Sequence, residues 1–186
     1  MRRVAVLLFA ALSLGACVMV KEPIGTTVGY RNDPALEGRW TGNDDKSGSG
    51  DLQVTTNSDR AMSVTVTDTN AGTGEQDHLA MTLTTVKLGH NRYMNISDVR
   101  GDKPDDSYPS SLPLLYRSDG RTLSLYALDE KAVQAAIKSG KIEGDVTITD
   151  YYTTVSITAK GPALDAYMAK DDAAKLFKPF VVLHRP

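Results

Sequence analysis

The chain has 186 residues, of which 21 are basic and 23 acidic, so its formal net charge is −2 at pH 7 with the histidines neutral. A mildly acidic chain lacks the clustered lysine and arginine that binding to nucleic acid requires, and no nucleic-acid partner is expected. The single cysteine, Cys17, excludes an intrachain disulfide. A domain of this length can instead stabilise itself by burying apolar side chains.

The first predicted element is an export signal. Arg2 and Arg3 precede the apolar run 4–14, and residues 14–17 (Leu-Gly-Ala-Cys) then lead through small side chains to a thiol. This order is typical of a cleaved signal, whereas residues 4–20 would only just be long enough to span a membrane. Residues 14–17 resemble the lipobox of exported bacterial lipoproteins. The resemblance implies that residues 1–16 are a signal peptide and that Cys17 is lipidated.

The same resemblance implies a location. Val18, rather than aspartate, follows the cysteine, and in Gram-negative lipoproteins this implies sorting to the outer membrane. We therefore expect a lipid-anchored protein that faces the periplasm and contacts the membrane through acyl chains on Cys17. Two such chains are enough for stable attachment, at about 0.8 kcal/mol per buried methylene.

Residues 17–35 have the composition of a flexible tether that follows the lipidated cysteine. Turn-forming residues interrupt the segment, and its apolar residues follow no sustained period. A flexible chain of this length spans roughly 25 Å on average. The sequence therefore predicts a single β-rich domain over residues 36–186, with the tether dispensable for its stability. The interrupting residues are Pro23, Gly25, Gly29, Asn32 and Pro34.

From residue 36 onward, apolar and polar residues alternate with a period of two. This alternation predicts antiparallel strands with one buried and one wet face, and threonine on the wet face suits a strand. Asp119-Gly120 is a strong hairpin signal between two such runs, and residues 150–152 are expected to turn another hairpin. The clearest alternating runs are 62–66, 79–83, 123–127, 146–148 and 155–159.

Two segments with helical period and a short turn complete the pattern. Asp129 is expected to cap a helix that ends before Gly140, and a second helix is expected to begin at Pro162. Asp171 is expected to cap a further short turn, before a closing strand at 180–184. The chain is thus predicted to be mainly β, an antiparallel lipocalin-like barrel or a two-layer sheet of eight to ten strands with two or three short helices.

The lipocalin expectation comes from Gly38-Arg39-Trp40, which resembles the G-x-W signature that opens lipocalin-type barrels. The resemblance implies that Trp40 plugs one barrel end and that Arg185, after the closing strand, packs over it in a cation–π arrangement. The family's T-D-x-x-Y pattern is not met, because Thr153 stands where tyrosine is required. The early L-x-G-x-W pattern also resembles small lipoproteins of unassigned function.

No catalytic motif, cofactor motif or metal site is apparent in the sequence. His78, His90 and His184 lack the spacing of a helical metal site and are interpreted as unrelated. Asp102, Asp105 and Asp106 are interpreted as a solvated loop rather than a calcium site.

The remaining candidates are ligand contacts. Tyrosine outnumbers phenylalanine by eight to three, and a tyrosine with a polar tip can line a pocket, a partner surface or a barrel rim. The favoured hypothesis is a non-enzymatic binding protein for a small apolar ligand or an envelope protein. The alternative is an envelope hydrolase that acts on cell-wall polymer or lipid through carboxylates that the sequence does not locate. The proposed pocket residues are Met81, Leu83, Tyr93, Tyr116 and Tyr126.

Overall fold

The computed structural model describes residues 18–44, 48–70, 72–101, 111–149 and 153–186. The predicted signal peptide and Cys17, the predicted lipidation site, lie outside the described residues. So do the acidic loop with Asp102, Asp105 and Asp106 and the turn at 150–152.

The described residues form strands, two α-helices and two 3₁₀-helices. The strands are β1 (Val18–Val20), β2 (Gly38–Asp44), β3 (Gly48–Thr56), β4 (Met62–Asn70), β5 (Gln76–Leu88), β6 (Asn91–Gly101), β7 (Leu112–Ser118), β8 (Thr122–Leu128), β9 (Gly144–Ile148), β10 (Thr153–Ile157) and β11 (Phe177–His184). The helices are α1 (Glu130–Lys138) and α2 (Gly161–Met168), with 3₁₀-helices at Pro34–Leu36 and Asp171–Leu176.

Eight strands close into an antiparallel barrel in the order β11-β2-β3-β4-β5-β6-β7-β8. β2 to β8 form a meander in which each strand pairs with the next, and β11 returns after the helices to lie between β8 and β2. The alternation in sequence explains the two surfaces of the wall. Val64 and Met81 are opposite each other and buried, whereas Thr65 and Ala80 are opposite each other and exposed. The predicted mainly β, lipocalin-like barrel is confirmed.

β1, β10 and β9 form a second, three-stranded sheet outside the barrel. β1 runs parallel to β10, and β10 and β9 are antiparallel. The described residues thus form eleven strands, one more than the predicted range. The additional strand is β1, which forms from residues that the sequence assigned to the tether.

Two separate apolar cores stabilise the domain. One fills the barrel and contains Trp40 with the inward-facing residues of the strands. The other lies between the outer wall of the barrel and a layer made of the second sheet, α1, α2 and the 3₁₀-helix Asp171–Leu176. β5 and β6 contribute to both, since Met81 and Met94 face the barrel interior while Val86 and Tyr93 face the outer layer.

Residues 18–36 form an N-terminal strap across the outer wall of the barrel, which differs from the expected flexible tether. Ile24 is fully buried in the outer core. Its backbone exchanges two hydrogen bonds with the Asn95 side chain, one from Ile24 N to Oδ1 at 3.0 Å and one from Nδ2 to Ile24 O at 2.9 Å. The physical reason for the difference is that the strap's partners are distant in sequence, so its order comes from the folded domain.

The helix boundaries follow the predicted caps closely. Asp129 accepts a hydrogen bond from the backbone N–H of Ala132 at 3.0 Å, and Gly140 follows α1 with a positive φ of 68°. The turn at 171–176 is a 3₁₀-helix capped by Lys170 without a side-chain hydrogen bond, so Asp171 lies in its first turn and is not its cap. β11 begins at Phe177, three residues earlier than expected.

Candidate functional site

Trp40 closes one end of the barrel. Its side chain is fully buried, and its indole Nε1 donates a hydrogen bond to the carbonyl oxygen of Leu36 at 2.7 Å. Leu36, at the end of the 3₁₀-helix that precedes β2, is also fully buried. The barrel is therefore plugged at this end by an aromatic side chain and the last turn of the strap.

Arg185 covers the plug, which is the arrangement that the resemblance to lipocalin-type barrels implies. Its guanidinium carbon lies 4.4 Å from the centroid of the Trp40 ring, a distance typical of a cation–π contact. The guanidinium also donates to the carbonyl oxygens of Ala35 at 3.1 Å, Glu37 at 2.8 Å and Gly120 at 2.8 Å. Arg185 thus links the C-terminal end of the barrel to the strap and to the β7–β8 turn.

The backbone conformation at Gly38 explains why the G-x-W motif begins with glycine. Its φ is +107°, a conformation that side-chain-bearing residues rarely adopt. A Cβ atom at this position would lie 2.7 Å from Arg185 Nη1. Glycine is therefore required both by the backbone conformation and by the close approach of the guanidinium.

Among the described residues, the barrel interior is almost completely filled. Met81 and Leu83, two of the predicted ligand contacts, line its remaining cavity, whose volume is about 40 Å³ and whose wall is apolar. A pocket for a drug-sized ligand has roughly 300–1,000 Å³. Met81 and Leu83 therefore act as core residues in this conformation, together with Leu125 and Phe180 on the far wall.

Two of the predicted tyrosines do not line the barrel interior. Tyr93 faces the outer core, where its hydroxyl donates to Met168 O at 2.9 Å and its ring lies 5.7 Å from that of Phe177. Tyr126 also faces outward, and Arg117 lies over its ring at 5.6 Å. The prediction failed here because these strands are covered on both sides, so a buried outward residue has the same sequence pattern as an inward one.

Tyr116 is the tyrosine that belongs to the barrel core. Its hydroxyl leaves the apolar interior at the plugged end and donates to Asp33 Oδ2 at 2.8 Å. Burial, followed by the neighbouring Asp33 carboxylate, raises the pKa of Tyr116, and burial likewise raises the pKa of Tyr93. Both phenols consequently remain protonated at physiological pH and serve as hydrogen-bond donors.

Asp33 organises the surface beside the plug, and the sequence interpretation missed it. Its Oδ2 atom accepts from Tyr116 and from Arg92 Nη1 at 3.0 Å, while Oδ1 accepts from Ala35 N at 3.0 Å. Asp followed by Pro34 is a common start for a helical turn. That signal is present in the sequence, within the segment whose composition predicts a flexible tether.

Two open grooves flank this Asp33 cluster. The first, of about 390 Å³, lies between the strap and the β5–β6 hairpin, and the second, of about 410 Å³, lies between that hairpin and β7. Arg92 and Tyr116 line both grooves. The second groove also contains His90 and Asp171, whose side chains are 3.2 Å apart and well exposed.

The buried carboxylate of Asp165 holds the strap. It accepts from Gly25 N at 2.7 Å through Oδ1, and from Thr27 N at 3.0 Å and Thr27 Oγ1 at 2.5 Å through Oδ2. Asp165 is 4% exposed. These hydrogen bonds give this carboxylate a structural role rather than the general acid–base role that the hydrolase alternative requires.

No protein-family model, curated protein or solved structure matches the chain. Among the described residues, no group of three or more metal-binding side chains is close enough to hold an ion. None of the helices in that part of the chain is long and apolar enough to cross a membrane.

Proposed function

We propose that this chain is a lipid-anchored lipoprotein of the outer membrane that faces the periplasm and acts by binding an envelope protein. The observation that favours a protein partner over a small ligand is the filled barrel, because the described residues leave a cavity of about 40 Å³, far below the roughly 300–1,000 Å³ of small-molecule sites. A small apolar ligand is therefore the less favoured occupant. The partner is expected on the outer surface instead.

The edge of the second sheet supports a protein partner. Among the described residues, β9 pairs with β10 along one side only, so its other edge presents unpaired backbone N–H and C=O groups. Ile148, at the end of β9, is 65% exposed. An extended segment of a partner protein can add to such an edge through main-chain hydrogen bonds, with an apolar contact that contributes specificity.

Lipid anchoring is tested at Cys17. When cells are labelled with palmitate, the wild-type protein is expected to take up label and to fractionate with the outer membrane. The Cys17→Ser variant is expected to take up none and to remain unprocessed or soluble, while Ser13→Ala, within the signal, serves as the matched control. Label on the Cys17→Ser protein would contradict the anchor.

The binding role is tested by site-specific photocrosslinking in cells. A photoreactive residue at Thr147, exposed on β9, is expected to give a discrete crosslinked protein band, whereas one at Thr65, exposed on β4, is expected to give none. A fluorescent fatty acid added to the purified protein is expected to remain unbound. Saturable fatty-acid binding that Leu83→Trp abolishes would instead support a hollow, ligand-carrying barrel.

A further inference from the structure

The groove between the strap and the β5–β6 hairpin has an unusual charge distribution. Its wall includes Arg31, Lys87 and Arg92, with Asp33 as its acidic residue. Three basic and one acidic side chain give 3 − 1 = +2 at this site, in a chain whose formal net charge is −2. The groove is therefore positively charged, whereas the chain as a whole is negatively charged.

Two of these basic groups are not neutralised. Lys87 and Arg92 are directly opposite each other across the β5–β6 ladder, a like-charge arrangement that destabilises a sheet. Asp33 forms an ion pair with Arg92 at 3.0 Å. Lys87 and Arg31 form no ion pair with any described residue, so the site has two uncompensated cations available for an anion.

Asn32 also lines the groove, and its amide links the strap to the turn between β3 and β4. Asn32 Oδ1 is buried and has no hydrogen-bond partner among the described residues, while the Asn32 amide nitrogen donates to Ser58 O. A buried acceptor without a donor is unfavourable by about 1–3 kcal/mol. Because Asn32 Oδ1 is buried, a ligand in the groove would be held by the two cations and not by this acceptor.

The rim of the groove is apolar at one point. Val28 lines it and is 62% exposed. Cations beside an exposed aliphatic side chain match the boundary of a bilayer, where phosphates lie next to the first methylenes of the acyl chains.

We propose that this groove binds the headgroup of an anionic phospholipid, with its phosphate on Arg31 and Lys87. The choice of a lipid over a soluble phosphate ester rests on the proposed acylation of Cys17, which would hold the strap at a membrane surface. The evidence for an anion-binding site comes from the residues of the groove and does not depend on acylation.

The test is titration calorimetry on the purified full chain in non-ionic detergent. The ligands are dihexanoyl phosphatidylglycerol, the zwitterionic dihexanoyl phosphatidylcholine and free glycerol phosphate. Phosphatidylglycerol is expected to bind, phosphatidylcholine not to bind, and glycerol phosphate to bind more weakly because it lacks the contact with Val28. Each of Arg31→Gln and Lys87→Gln is expected to weaken phosphatidylglycerol binding about fivefold. This is the change in affinity that the loss of one basic charge near an anionic lipid causes.

Matched controls are Arg100→Gln and Lys131→Gln, which change the net charge equally at exposed positions on β6 and α1. They are expected to leave the affinity within a factor of two. Loss of Lys87 relieves its repulsion with Arg92, so this variant is expected to melt no lower than wild type. Equal weakening in the controls, or equal binding of the two lipids, would overturn the proposal.

Two further arms separate the alternatives. Dihexanoyl phosphatidic acid, which keeps the phosphate but lacks the headgroup hydroxyls, is expected to bind at least as tightly as phosphatidylglycerol, and loss of its binding would contradict a phosphate contact with Arg31 and Lys87. Glycerol phosphate that binds as tightly as the lipid, with the same dependence on Arg31 and Lys87, would assign the groove to a soluble phosphate ester and overturn the lipid assignment. Failure of palmitate labelling with intact lipid binding would refute the anchor while leaving the groove established.

Discussion

Arg185 shows how one side chain near a chain end can join three parts of a barrel. It lies over the Trp40 ring and donates to backbone carbonyl oxygens on the strap and on the β7–β8 turn. The contact therefore stabilises the region where the strap, the first strand and the last strand meet.

The first prediction concerns this plug. Trp40→Ala is expected to lower the free energy of unfolding by about 3–5 kcal/mol, since it removes a large buried aromatic side chain. Arg185→Ala is expected to lower it less, by about 0.5–2 kcal/mol for the cation–π contact, plus the lost hydrogen bonds. Urea unfolding measures both, with the exposed Arg60→Ala as control. A Trp40→Ala protein of unchanged stability would exclude the plug role.

Asp165 is the second residue whose role is clear from its contacts. The Asp165→Asn substitution replaces one carboxylate oxygen with an NH₂ group that cannot accept, so the backbone N–H of either Gly25 or Thr27 loses its acceptor. Because hydrogen bonds to a charged group contribute about 1.5–3 kcal/mol, we expect a loss of about that size in urea unfolding. Amide hydrogens of Gly25 and Thr27 should then exchange faster. The exposed Asp145→Asn should change neither, and a strap that exchanges rapidly in wild type would favour the flexible tether.

At the scale of elements, the cap of α1 is a carboxylate whose protonation state contributes to stability. The backbone N–H of Ala132 donates to Asp129, and Lys178 lies 3.3 Å from it, so the pKa of this carboxyl lies below its ordinary value of 3.8. A depressed pKa means that the charged form is favoured in the folded state. The stabilisation is therefore present above the unfolded pKa and is lost as pH falls through the lower, folded one.

The third prediction follows from the lowered pKa of Asp129. Wild-type stability, measured by thermal unfolding, should decrease as pH falls below about 4, near the unfolded pKa of aspartate. Asp129→Asn should show a shallower decrease, since asparagine caps helices nearly as well without titrating. Some acid sensitivity should remain, because backbone hydrogen bonds from Thr122 and Arg121 also lower the pKa of Asp119. Parallel pH profiles for wild type and Asp129→Asn would rule out this contribution.

At the scale of the whole molecule, the barrel acts as a core rather than as a container. Its inward residues leave a cavity of about 40 Å³, while the grooves and the free edge of β9 lie on the outside. The outer layer made by α1, α2 and the second sheet supplies a second core on one wall of the barrel. Recognition is therefore expected at the outer surface.

The fourth prediction separates core from surface. Leu83→Ala, which enlarges the cavity, is expected to cost about 2–5 kcal/mol. Ile148→Ala, at an exposed position, is expected to stay within about 0.5 kcal/mol of wild type but to reduce crosslinking through Thr147. Urea unfolding measures the first effect and crosslink yield the second. A tolerated Leu83→Ala would indicate a loosely packed interior.

The predictable parts of the fold are the strands, turns and helix ends, because residues close together in the sequence determine their structure. Alternation of apolar residues with threonine identified the strands, Asp119-Gly120 marked the β7–β8 turn, and Asp129 with Gly140 marked the limits of α1. Each of these signals acts within a few residues along the chain. The Trp40 and Arg185 pair was predictable only through a resemblance to another family, because the two residues are far apart in sequence.

By itself, the sequence determined a β-rich chain with defined turns and caps, because hydrogen bonding and side-chain period within an element are local properties. Only the tertiary structure decided that residues 18–36 belong to the fold, since Asp165 reaches Gly25 across 140 positions. It also decided which tyrosines face inward, as Tyr93 and Tyr116 are both buried but in different cores. Period alone cannot distinguish the two faces of a strand when another layer covers each of them.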